Sequence, residues 1–269
     1  MGRIITIASA KGGVGKTTTA LNLGFGLSRL SKRVLIVDTD PQGGLGSASN
    51  LKKRSVRGLA DILAKRADPG EVIVASRDKA LSVLGFGQSD NQGILAYEES
   101  SISGELTAVI KRISEGYDYV LLDAPAGMGS PTRRLLEASE GLVIPVVTRS
   151  LSVKALPAML RLLKTVQMTS NARLVLDGVL VTMLDYRSQL EYEIYKEIKE
   201  TLPTGALFDT VIPYHAQFEE ASMQCVPVAM MKDAHKAASP YLNLVMELLS
   251  REQQRHLEGE SNEFELGLF

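Results

Sequence analysis

The sequence predicts an α/β protein, a mainly parallel twisted sheet with helices on both faces. Three observations predict it. Ile4-Ile5-Thr6-Ile7-Ala8 is an apolar, β-branched run of the kind that forms a buried parallel strand, and it leads through a glycine-rich turn into helical spacing over residues 19–27. Two more apolar runs, Val34-Leu35-Ile36-Val37-Asp38 and Tyr117-Asp118-Tyr119-Val120-Leu121-Leu122-Asp123, each close on an aspartate. Strand-like runs then alternate with helical patterns over short connections to about residue 250. With no internal repeat and no linker, residues 1–250 read as one domain and 251–269 as an acidic, flexible tail.

Composition narrows the class. The 269 residues are 45% hydrophobic and 23% charged, the balance of a soluble globular protein large enough for a sizeable core. No apolar run reaches bilayer length, and the N-terminus lacks a signal peptide's apolar stretch. The single cysteine, Cys225, excludes an internal disulfide and a cysteine-ligated cluster within one chain, and it fits a reducing cytoplasm. A formal net charge of −1 gives no global basic field, so any contact with DNA must be local.

The turn after the first strand is Ala10-Lys11-Gly12-Gly13-Val14-Gly15-Lys16-Thr17-Thr18. Strand, glycine-rich turn, Gly-Lys-Thr and helix form the context of a phosphate-binding loop, in which backbone N–H groups and the helix N-terminus face phosphate oxygens. Lys16 would reach the β- and γ-phosphates, and the Thr17 hydroxyl would sit on magnesium. Lys11 repels Lys16 unless something anionic neutralises it, and nucleotide phosphates would do so.

Beyond the second strand, Asp38-Thr39-Asp40-Pro41-Gln42-Gly43-Gly44 lies where open α/β sheets place ligands. A carboxylate pair there can position a water and support magnesium; the alternative is a solvated turn in which Asp38 or Asp40 caps the next helix. Lys52–Arg57 is a basic run, read as a solvated face or as a binding patch, and a short helix follows over Leu59–Leu63. Residues 71–74 and 81–86 read as a hairpin or paired edge strands, residues 87–93 as a mobile polar loop, and residues 103–114 as a helix with Leu106, Val109, Ile110 and Ile113 on one face. The strand ending at Asp123 has the form of a Walker B element, whose carboxylate holds the magnesium shell. Further strands are expected at 142–147, 174–184 and 207–212, with helices at 152–167 and 191–201.

Lys11–Thr18 resembles the deviant Walker A motif of the ParA/MinD family of P-loop ATPases, in which the early lysine crosses a dimer interface to the partner's ATP. Residues 38–44 resemble that family's switch I, with Gly44 where Asn is usual, and Asp40 falls on the carboxylate that orients the attacking water. Asp123-Ala124-Pro125-Ala126-Gly127 resembles its switch II. In the second half, Thr182–Ser188, Thr210–Pro213 and Glu220–Val228 are similar to ParA segments, so the likeness runs from about residue 3 to about residue 250. By resemblance, Lys11, Lys16 and Asp40 are catalytic; Lys11, Gly12, Gly13, Val14, Gly15, Lys16, Thr17 and Thr18 hold ATP; Met183 and Pro213 contact the adenine. Thr17, Asp40 and Asp123 serve Mg2+, and Arg187 matches a DNA-contacting arginine.

The family implies a slow ATPase that dimerises with ATP and is stimulated by a ParB-like or cargo-bound adaptor, in a bacterial or archaeal cytoplasm, either free there or associated with the nucleoid. Two departures bear on the cargo. ParA proteins that bind DNA carry arginines after the Ile-Pro, whereas this chain reads Tyr214-His215-Ala216-Gln217-Phe218; Lys196, Lys199, Lys232 and Lys236 are the nearby cations that could substitute. The tail carries Glu258, Glu260, Glu263 and Glu265, which an anionic leaflet repels, so the basic membrane helix of MinD relatives is not expected. That tail reads as disordered or as a peptide docking on a protein groove. A partition or positioning switch therefore leads, ahead of a MinD-like membrane regulator and an ATP-gated scaffold.

Overall fold

The computed structural model describes residues 2–48, 56–76 and 80–257. Eight strands form one sheet: β1 (Arg3–Ile7), β2 (Val34–Asp38), β3 (Val74–Ala75), β4 (Leu81–Leu84), β5 (Tyr119–Asp123), β6 (Gly141–Val147), β7 (Val175–Leu184) and β8 (Ile212–Pro213). Their spatial order is β3-β4-β2-β5-β1-β6-β7-β8, and every pairing is parallel except β3 with β4. The chain therefore reverses its winding direction around β1, between β5 and β6, and the crevice at the carboxyl ends of those central strands is where such a sheet binds ligand.

Alternation along each strand splits the core in two. Leu35 and Val37 of β2 join one apolar cluster, beneath helices α3 (Leu59–Leu63), α5 (Asn91–Ser103), α6 (Glu105–Ile113), α7 (Ser130–Ala138) and α8 (Ser150–Thr169). Val34 and Ile36 join the other, beneath α1 (Lys16–Arg29) and α11 (His235–Leu257). Helix α1 is clamped between sheet and α11. A Cβ on Gly24 would come within 2.7 Å of Ile36 Cδ1, and one on Gly26 within 2.6 Å of Val245 Cγ2. The remaining helices are α2 (Gly44–Ala48), α4 (Pro69–Val72), α9 (Gln189–Thr201) and α10 (Gln217–Met223).

Several expectations need correction. Residues 87–93 are not wholly loop, because α5 begins at Asn91, where the Asp90 carboxylate accepts the Gly93 N–H at 2.6 Å. The expected hairpin is present as the antiparallel pair of β3 and β4, but residues 71–74 are divided between the end of α4 and the two-residue β3, and β4 is no edge strand, since it also pairs with β2. The strand expected at 207–212 reduces to a single bridge between Leu207 and Val179, followed by β8. The boundary placed after residue 250 falls inside α11, which continues to Leu257. There Arg251 donates to the carbonyls of Asp177, Gly205 and Leu207, while Arg255 and Arg3 both pair with the buried Asp177. Lys52–Ser55 of the basic run and the acidic segment from Glu258 onward lie outside the described residues.

Candidate nucleotide site

The glycine-rich turn leaves the carboxyl end of β1, the strand at the point of reversal. Gly13 and Gly15 have φ of +70° and +82°, a region that side chains disfavour, and this curls the backbone of residues 12–15 inward. Gly15 is the N-cap of α1, with neither a capping side chain nor an acid in the first turn. The first amides of the helix and its positive dipole end are thus left for an anion. The turn is also held from behind, because Thr182 Oγ1 on β7 donates to the Val14 carbonyl at 2.9 Å.

The two loop lysines part company: Lys16 is buried at the start of α1, whereas Lys11 is exposed at the rim. Thr17 Oγ1 donates to Asp123 Oδ2 at 2.6 Å. Asp123 closes β5 directly opposite Asp38, which closes β2. Burial, and then the neighbouring Asp38 charge, push the Asp123 carboxyl well above the ordinary range; burial pushes Asp38 up to about 6, against the N–H groups of Asp40 and Leu45 that favour its charge. Asp123 Oδ1 is buried without a hydrogen-bond partner. Such a group calls for a cation. An orphaned carboxylate oxygen beside a threonine hydroxyl fits the protein side of a magnesium shell. Among the described residues no three His, Cys, Asp or Glu side chains converge into a self-contained metal site, so phosphate oxygens would complete this one.

Asp38 fills the capping role, accepting the Leu45 N–H at 3.0 Å where α2 begins. Asp40 is half-exposed, and its Oδ1 accepts the Gln42 N–H at 2.9 Å. Gly44 lies against the Thr17 hydroxyl: a Cβ there would stand 3.1 Å from Thr17 Oγ1, so the residue that departs from the family spelling sits where a side chain would crowd that hydroxyl. Met183 borders the loop, its Cε 3.5 Å from where a Gly15 Cβ would be, and it holds a strained φ of +56°. Pro213 pairs with Leu184 on the neighbouring strand, so both residues expected at the adenine share one edge of the crevice.

Arg187 is not brought to this cluster. It stands exposed in the segment after β7, its guanidinium gripping Asp185 at 2.8 Å through two nitrogens. Lys196, Lys199, Lys232 and Lys236 are all exposed. Sequence reasoning missed Thr182 as the anchor of the loop and Tyr97 beneath switch I, whose hydroxyl donates to the Thr39 carbonyl at 2.7 Å. Neither left a signal, since both act on backbone far away in the chain.

A fixed glycine loop, a helix start aimed into the crevice and paired strand-end carboxylates define a P-loop nucleotide hydrolase. Comparison with known proteins agrees. A family model described as an AAA domain matches residues 2–176. The sporulation initiation inhibitor Soj of Bacillus subtilis is 35% identical over 92% of this chain and 98% of its own length. The chromosome-partitioning ATPase Soj of Thermus thermophilus is 36% identical over 94% and 97%. Among solved structures, the septum site-determining protein MinD of Pyrococcus horikoshii, complexed with Mg-ADP, superposes with a TM-score of 0.76 at 25% identity, over 96% of this chain and 98% of that one. The chain belongs to the ParA/Soj family of partitioning ATPases.

Proposed function

We propose that this ATPase is an ATP-dependent dimerisation switch, working in the cytoplasm of a bacterium or archaeon to partition or position a plasmid, chromosome or protein cluster. ATP with Mg2+ is the proposed ligand. Lys16 and the amides of residues 12–18 hold the phosphates, Thr17 and Asp123 hold the magnesium with Asp40 nearby, and Met183 and Pro213 wall the base. Bound magnesium would screen and polarise the phosphate oxygens. Asp40 orients the water that attacks the terminal phosphate. Hydrolysis is slow until a ParB-like or cargo-bound adaptor binds.

The separation of the two lysines carries the reading. Lys16 is buried, so a second cation in the same loop is best placed facing outward, toward the phosphates of another subunit. The carboxyl-end face of the sheet, from which the Lys11 loop also leaves, suits a partner: Met128, Leu151, Tyr186, Leu190 and Tyr214 are exposed on the segments that follow β5, β6, β7 and β8. Light scattering after size-exclusion chromatography tests this. Wild type should dimerise with ATP and not with ADP. Lys16→Ala should lose nucleotide binding, and Lys11→Ala should bind ATP yet stay monomeric. A Lys11→Ala dimer of wild-type stability would overturn the reading.

Non-specific DNA is the proposed track for the ATP dimer, with Arg187 contributing one phosphate contact per subunit. Among the described residues no helix is long and apolar enough to cross a membrane.

A further inference from the structure

Asp40 is flanked by two backbone carbonyls, those of Thr39 and Pro41, and side chains from outside switch I hold both. The Tyr97 hydroxyl donates to Thr39 O at 2.7 Å. The Ser89 hydroxyl donates to Pro41 O. Thr39 is tied a second time through its own Oγ1, which donates to the Asp123 carbonyl at 2.7 Å. Tyr97 is 2% exposed, and its ring meets Phe86 edge-on with centroids 5.2 Å apart. Both donors come from one unit, since Ser89 immediately precedes the Asp90 cap of the helix that carries Tyr97. Asp90 is fixed in turn by Arg66 at 2.8 Å.

We infer that Tyr97 and Ser89 are positioning residues that hold the backbone on either side of Asp40, so that α5 sets the direction of the Asp40 carboxylate. The inference deepens, and rests on, the reading of Asp40 as the group that orients the attacking water. The physical case is one of over-determination. Among the described residues the Asp40 carboxylate accepts a local N–H, that of Gln42, and no side-chain donor, so its aim follows its backbone. Burial keeps the Tyr97 phenol protonated, and therefore a donor, far beyond its ordinary range. A hydroxyl with no partner at that depth would be costly, so the bond persists. A displacement of about 1 Å in a reacting group costs roughly a hundredfold in rate, and releasing one of two tethers should cost a fraction of that.

The test measures single-turnover ATP hydrolysis by the full chain, with affinity read from titration of a fluorescent ATP analogue and stability from thermal melting. Tyr97→Phe keeps the ring and removes the hydroxyl. It should lower the hydrolysis rate about tenfold, with affinity within about twofold of wild type. Ser89→Ala, at an exposed position where water can replace the donor, should lower the rate about threefold. In an Asp40→Ala background Tyr97→Phe should cost nothing further, because the group it aims is gone. A wild-type rate for both single variants would overturn the inference, as would parallel losses of rate and affinity, which mark a merely structural role. A further tenfold loss in the Asp40→Ala background would also overturn it. The reading beneath it fails separately: if Asp40→Ala alone hydrolyses at the wild-type rate, Asp40 does not orient the water, and the inference falls with it.

Discussion

Asp123 and Asp38 face each other in register, buried, and burial together with their mutual repulsion outweighs what favours their charge, namely one threonine hydroxyl, a few backbone amides and the nearby Lys16. Both native carboxyls therefore titrate above the ordinary carboxylate range. The unfolded chain releases these protons first as pH rises, so the native state binds more protons in that window. The stability this gives is complete below about pH 4 and is lost as pH climbs through the native values. Without nucleotide and magnesium, the melting temperature should fall between about pH 5 and pH 8, and Asp123→Asn should flatten that fall. Acids held below the ordinary range, such as Asp90 and Asp118 beside their arginines, act at lower pH and do not blur the comparison. Equal slopes in the two proteins would show that the pair is not the source. Asp40→Ala should bind ATP and dimerise yet hydrolyse at least tenfold more slowly, the scale of a lost water-positioning group.

Helix α1 shows how closely an element can be held. Gly24→Ala would normally stabilise a helix by about 1 kcal/mol. Here the new methyl would meet Ile36 Cδ1 at 2.7 Å, and overpacking costs about 1–3 kcal/mol, so a net loss of about 1 kcal/mol is expected. A lower urea midpoint at unchanged slope is the measurement; a higher midpoint would show that Ile36 swings away at little cost. Elements of this central kind were legible in the sequence, since β1, β2, β5 and β6 are short, largely apolar runs and α6 puts Leu106, Val109, Ile110 and Ile113 on one buried face. Helix α5 was not, because it starts in polar residues, buries small ones such as Gly93, Ser100 and Ser101, and leaves Leu95 and Ile102 exposed. Strand β8 shrank because its pairing depends on β7 alone. The loop, Thr17 and Asp123 could be read from local spelling; the bonds that hold switch I join residues about fifty positions apart, and no window of sequence carries them.

At the scale of the whole molecule, the surface beyond β7 is the one that would meet DNA in the proposed ATP dimer. Arg187 is paired with Asp185, and the segment after Pro213 adds no arginine, so binding should be weak, on the order of the micromolar end of the non-specific range, and its salt dependence flatter than that of an arginine-rich surface. Arg187→Glu should remove most of it at moderate salt while leaving ATP-driven dimerisation intact, as read by titration on random-sequence duplex with ATP or ADP. Wild type that ignores DNA at low salt would turn attention to a protein track. The tie from Thr182 to the Val14 carbonyl has a consequence of another kind. It joins the phosphate loop to the ten-residue β7, which Arg251 and Arg255 secure at its far end. Cradle and strand are thus tied into one piece, so nucleotide arrival should have little left to order there. In hydrogen-exchange experiments the amides of β7 and early α1 should be slow with or without ATP. Residues 39–46, held chiefly by side-chain tethers, should exchange faster and respond to the nucleotide bound.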